Sequence, residues 1–152
     1  MKVLVTGGNG PIRFTLCENL LLKGYHVVCT QPAGKSHQDF ILPLFCLFPL
    51  TFNLINCDLS RIDDCRKALD GSMYVFHDVD SGNLLNLLIA SRDAGVIRFV
   101  CYHSFLRIDM KILNQFLPDS ANQVFILSKG NRMSYNQLIG SLQQSDFTAE
   151  TK

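Results

Sequence analysis

Lys2-Val3-Leu4-Val5-Thr6-Gly7-Gly8-Asn9-Gly10-Pro11-Ile12-Arg13 joins an apolar run to a glycine cluster and the start of a helix. Lys2 to Thr6 reads as a short buried strand. Pro11 suits a first helical turn, where the N–H it lacks has no intrahelical partner. From there Ile12, Leu16 and Leu20 recur at four-residue intervals, marking one apolar face of a helix through Lys23. Gly24 ends that helix, and His26 to Thr30 reads as a second buried strand. The order is β-turn-α-turn-β, the parallel crossover unit.

Glycines between a strand and a helix let the main chain approach an anion with no Cβ in the way. The first N–H groups of the helix supply the donors. Gly7, Gly8 and Gly10 meet that need for the pyrophosphate of a dinucleotide, with Asn9 among them and Pro11 and Ile12 opening the helix.

Gln31 to Asp39 is polar with Pro32 and Gly34, and reads as a loop. Phe40 to Leu50 shows no clear period and contains Pro43 and Pro49. It falls short of the roughly 18 to 20 residues that cross a membrane, and is expected to be loop and core. Thr51 to Cys57 reads as a third strand. Ser60 is the expected N-cap of a short helix, with Asp63 three residues on and Ile62, Cys65 and Leu69 facing inward. Met73 to His77 is a fourth strand, Asn83 to Ala94 a leucine-rich helix closed by Gly95, and Phe99 to Tyr102 a fifth strand. Beyond Ser104 the pattern predicts a helix over Met110 to Leu117, a strand over Val124 to Ser128, and a capped helix from Ser134 to Leu142. The tail from Ser145 to Lys152 is polar. This alternation predicts an α/β fold, a doubly wound parallel sheet of five to six strands in a single domain.

Composition narrows the partners. The 152 residues are 47% hydrophobic and 18% charged with a formal net charge of +1, which leaves no basic stripe for a phosphate backbone and argues against nucleic acid. The six cysteines never fall in a CxxC pair and most sit in apolar segments, pointing to core packing and a reduced, cytoplasmic setting. Only Val3, Leu4 and Val5 form an apolar run before the glycines, so neither an export signal nor a membrane anchor is expected; an oligomer is compatible with the sequence. His77, Asp78 and Asp80 cluster at a strand end. Neighbouring strand residues point to opposite faces, however, and no metal site is expected.

The glycine motif resembles that of the NAD(P)-dependent epimerase/dehydratase family, the extended short-chain dehydrogenases, which opens like TGGxGFIG. Arg13 stands where the family has its last glycine. Asn56-Cys57-Asp58-Leu59 is similar to the family's GDL segment, and Ala94-Gly95-Val96-Ile97-Arg98-Phe99-Val100 to its AGVKRFV strand. The resemblance spans residues 1–104. It implies a Rossmann-like domain binding NAD or NADP over Gly7, Gly8, Asn9, Gly10, Pro11 and Ile12. It further implies that Asp58 bonds the adenine amino group, that Leu59 lies beside the ring, and that Ser104 holds the place of a catalytic Ser or Thr.

The rest departs from that pattern. The family pairs its serine with YxxxK, whose Lys lowers the Tyr pKa for proton exchange with the substrate. Here Cys29, Asp78, Leu106 and Ile139 stand four residues beyond Tyr25, Tyr74, Tyr102 and Tyr135, so the motif is absent. Gln123 to Leu127 and Met133 to Leu138 look like the family's late stretch, so residues 105–144 resemble a C-terminal remnant with the central catalytic segment missing, and 145–152 a frayed tail. An NAD-preferring member carries an acid at the end of its second strand. Gln31 and Pro32 stand there instead, and Lys35 in the next loop is a candidate for a 2′-phosphate or a plain surface lysine. The resemblance therefore implies an NAD(P)-binding protein without ordinary catalysis. The alternatives are a non-catalytic regulatory or scaffolding module of the same ancestry, a reductase with a site rearranged around Ser104 and His103, and a deletion product that folds poorly. Arg13 is expected to push its helix away or be forced outward, at about 1 to 3 kcal/mol, unless it swings out to a phosphate.

Overall fold

Strand β1 (Lys2–Thr6) is buried from Val3 through Thr6, because it lies inside the sheet with parallel neighbours on both sides. The computed structural model describes residues 1–6, 11–32, 42–78, 84–103 and 122–126. Helix α1 (Pro11–Leu22) returns the chain to the start of β2 (His26–Gln31). At their junction Gly24 adopts φ +87°, a left-handed conformation that costs a residue with a Cβ about 1 to 2 kcal/mol. Its N–H donates to the Leu21 carbonyl at 3.0 Å and that of Tyr25 to Leu20 at 3.1 Å, closing the helix end.

The sheet continues with β3 (Phe52–Asn56), β4 (Tyr74–Asp78), β5 (Arg98–His103) and β6 (Asn122–Ile126) in the spatial order β3-β2-β1-β4-β5-β6, every pairing parallel. This is the Rossmann-like doubly wound arrangement, in which strand order reverses between β1 and β4. Alternate residues feed two cores. Val3, Val5, Val27, Cys29 and Phe76 pack with Leu16 and Leu20 of α1, while Leu4, Val28, Val75 and Phe99 pack on the opposite side. There they meet α3 (Ile62–Ala68) and α4 (Leu84–Ala94) through Cys65, Leu87 and Leu88. A strand buried on both faces must be apolar without interruption, and Val3-Leu4-Val5 and Val27-Val28-Cys29 are.

Three expectations are corrected. The unpatterned Phe40 to Leu50 stretch contains a helix, α2 (Leu42–Leu47), with Leu44 fully buried and Phe45 edge-on to Phe52 at 5.0 Å. Pro43 falls in its first turn, where proline is tolerated. Ser60 is not the N-cap of α3; Arg61 is, in extended conformation and without a side-chain cap. The Ser60 hydroxyl is engaged elsewhere, donating to Asp58 Oδ1 at 2.6 Å as its N–H does at 2.9 Å. Strand β6 begins at Asn122, two residues earlier than Val124. The expected helices at 110–117 and 134–142, and the tail 145–152, lie outside the described residues. Among the described residues no helix is long and apolar enough to cross a membrane.

Candidate nucleotide site

The carboxyl ends of β1 and β4 lie side by side where strand order reverses, and the chain passes from β1 into α1 at that edge. Open α/β sheets bind ligands in the crevice this creates. Pro11 and Ile12 form the first turn of α1. Gly7, Gly8, Asn9 and Gly10, between β1 and α1, lie outside the described residues, as do Lys35, Asp80 and Ser104.

The floor of the crevice is polar. Thr6, the last residue of β1, stands in register with His77 of β4, and its Oγ1 shares a 2.7 Å hydrogen bond with His77 Nδ1. Thr6 Oγ1 also lies 3.4 Å from the Phe76 carbonyl oxygen. Both side chains are fully buried, and burial lowers the His77 pKa to about 4, keeping the imidazole neutral near pH 7. Its Nε2 has no hydrogen-bond partner among the described residues. Sequence reasoning considered His77 only as a metal ligand. A His and a Thr closing two apolar strands were the available signal, but their pairing depends on a register that the sequence does not display. Among the described residues there is no group of three or more metal-ligating side chains.

Beyond β3 the chain makes a tight turn. Asp58 is exposed, and its Oδ1 accepts the two Ser60 hydrogen bonds, which hold its carboxyl below the usual carboxylate range. Its own N–H donates to Asp64 Oδ2 at 3.1 Å. The Leu59 carbonyl accepts from Asn86 Nδ2 at 3.1 Å and lies 3.6 Å from Cys65 Sγ, which ties the turn to α3 and α4. The Cys57 N–H donates to the Gln31 carbonyl at 2.9 Å, and Gln31 Nε2 to Asn56 Oδ1 at 2.9 Å, so the ends of β2 and β3 are fastened together. Asp58 and Leu59 therefore sit at the same carboxyl edge as the start of α1, two strands from β1.

Arg13 is not forced outward. It is only 4% exposed, and Nη1 donates to the Thr30 carbonyl at 2.8 Å, while α1 keeps Leu16 and Leu20 fully buried against the sheet. Strand β1 pairs with β2 only as far as Cys29, and the guanidinium takes the carbonyl one residue further on. Beneath it, Cys17 hydrogen-bonds Cys29 and holds that thiol below its ordinary pKa, with the Arg13 charge contributing.

A model of the NAD dependent epimerase/dehydratase family matches residues 3–104. Among solved structures, UDP-glucose-4-epimerase from Stenotrophomonas maltophila, with bound NAD and formylated UDP-arabinopyranose, is 23% identical with a TM-score of 0.58, over 68% of this chain and 37% of that one. UDP-glucose 4-epimerase from Thermotoga maritima, with UDP-glucose, is 19% identical with a TM-score of 0.55, over 68% and 38%. Vestitone reductase from alfalfa is 25% identical with a TM-score of 0.52, over 68% and 36%. The chain thus spans less than two-fifths of the length of these structures. The family match starts in β1 and ends one residue past β5, so it takes in the crevice, the Asp58 turn and the strands between them. By fold and by sequence, the chain belongs to the NAD dependent epimerase/dehydratase family.

Proposed function

We propose that this chain binds a nicotinamide dinucleotide and does not carry out the proton-coupled hydride transfer of its family. The observation that carries the binding half is the start of α1 at the carboxyl edge between β1 and β4, reached through Gly7, Gly8, Asn9 and Gly10. The residues fit such a ligand. The exposed Asp58 carboxylate and the neighbouring Leu59 stand at that edge, and buried Arg13 leaves Nε without a partner among the described residues.

In this reading the N–H groups of Gly7, Gly8, Gly10 and Ile12 bind the pyrophosphate, with Pro11 fixing the start of the helix. Asp58 accepts from the adenine amino group and Leu59 covers the ring. Thr6 and His77, neutral and hydrogen-bonded to each other, form a floor that excludes water. When bound, the nicotinamide supplies a hydride donor or acceptor. Hydride transfer to or from a carbonyl also needs a proton exchanged at oxygen, and no Tyr in this chain has a Lys four residues on. Ser104 alone is a poor replacement, because a serine hydroxyl does not itself titrate near neutral pH.

Calorimetric titration of the chain with NAD⁺, NADH, NADP⁺ and NADPH tests the binding half, and saturable binding of at least one of them is expected. Turnover assays with nicotinamide cofactors and sugar nucleotides test the other half. Loss of a general acid/base forfeits about 10² to 10⁴ in rate, so turnover near background is expected. Robust turnover abolished by Ser104→Ala would establish a rearranged active site instead.

A further inference from the structure

The Arg13 guanidinium is a buried cation with an unpartnered Nε among the described residues. Its Nη1 meets the Thr30 carbonyl at 2.8 Å, and the side chain is only 4% exposed. It takes part in none of the ion pairs among the described residues, which join Arg66 and Arg92 to Asp63 and Asp93 around α3 and α4. An Arg cannot shed its charge by losing a proton, so a guanidinium withdrawn from water calls for an anion.

The position of the charge indicates which anion. Thr30 is the next-to-last residue of β2, and in this fold the adenosine ribose lies beyond the end of that strand. An NAD site places a carboxylate there to hold the ribose hydroxyls. Here the strand ends in Gln31, whose amide is given to Asn56, followed by the exposed Pro32. No acid among these residues repels a phosphate. Arg13 enters from the first turn of α1, so its charge adds to the positive end of that helix.

Resting on the dinucleotide reading above, we infer that Arg13 binds the 2′-phosphate of the adenosine ribose, so that the chain selects NADP(H) over NAD(H). The guanidinium keeps its bond to Thr30 and offers its remaining N–H groups to the phosphate oxygens, in the forked geometry Arg makes with oxyanions. The residue that replaces the family's last glycine is then a specificity determinant.

The test is calorimetric titration of the whole chain and of Arg13→Met with 2′,5′-ADP, 5′-AMP, NADP⁺ and NAD⁺, with a circular-dichroism melt of each protein. Expected for the wild type is 2′,5′-ADP binding about tenfold or more tighter than 5′-AMP, with the same preference between NADP⁺ and NAD⁺. Arg13→Met should bring each pair to within about threefold while leaving 5′-AMP affinity in place. Equal wild-type binding of 2′,5′-ADP and 5′-AMP overturns the inference and leaves the dinucleotide reading standing. Equal losses for both nucleotides in Arg13→Met overturn it too, because they assign the guanidinium to the 5′-phosphate or to the packing of α1. Binding of none of the four ligands defeats both readings. If Arg13→Met does not melt cooperatively, Arg13→Lys takes its place. It keeps the charge but not the fork, and should lose most of the 2′-phosphate preference; full retention would count against the inference.

Discussion

His77 gives the fold a specific sensitivity to acid. Its pKa is about 4 in the folded chain against 6.5 for an unperturbed imidazole, because burial disfavours the charged ring. As pH falls below 6.5 the unfolded chain takes up a proton that the folded chain refuses until about pH 4. Stability should therefore decline across that window and level off below it, by up to about 3 kcal/mol from this residue. Urea unfolding at pH 7.5, 6.0, 5.0 and 4.0 on the wild type and on His77→Gln measures the effect; parallel pH profiles for the two proteins would rule it out. At this scale the sequence was legible where backbone chemistry dominates and opaque where a contact decides. Gly24 was readable as a helix end from its place after an amphipathic run. The inward course of Arg13 was not, because it depends on β1 releasing β2 at Cys29 and on the Thr30 carbonyl lying within reach.

Elements were legible in proportion to their length and period. Helix α1 repeats its apolar face at Leu16 and Leu20, and β1, β2 and β4 each hold an uninterrupted run of three residues, Val3 to Val5, Val27 to Cys29 and Tyr74 to Phe76, so all four could be read directly. Helix α2 covers only Leu42–Leu47, less than two turns and entirely apolar apart from its proline, so no period could identify it. The start of α3 was misplaced for a different reason. Ser60 had two local partners to choose between, and Asp58 rather than the helix N-terminus won its hydroxyl. The junction of α1 and β2 offers a clean test of backbone conformation. A Cβ at Gly24 would meet nothing within 4 Å, so Gly24→Ala changes only the cost of φ +87°. It should lower stability by about 1 kcal/mol in urea melts, and Gly24→Asn by less, since Asn tolerates the left-handed region better. No loss in Gly24→Ala would mean that the helix end relaxes to another conformation.

At the scale of the whole molecule, the strand order β3-β2-β1-β4-β5-β6 brings residues distant in sequence to one edge. Thr6, Pro11, Ile12, Asp58, Leu59 and His77 are drawn from four separate segments and share the carboxyl side of one sheet. The alternation of strands and helices made the fold class legible, and the glycine cluster marked the end of the sheet on which to look. The buried Thr6 and His77 pair and the Arg13 contact were hidden, because both are consequences of register between strands. Spacing is legible without the fold: no Tyr of this sequence has a Lys four residues on, the pattern that motivates the proposed loss of catalysis.

The proposal turns on whether the segment Gly7 to Gly10 binds a dinucleotide. Its most direct test is a titration of the ¹⁵N-labelled chain with NADP⁺, and separately with NAD⁺, followed by amide chemical shifts. Expected are saturable shifts concentrated at Gly7, Gly8, Gly10 and Ile12, with a second group at Asp58 and Leu59, and an unperturbed α4. Absence of saturable shifts at the glycines with either dinucleotide, or shifts gathered on another face of the sheet, would contradict it.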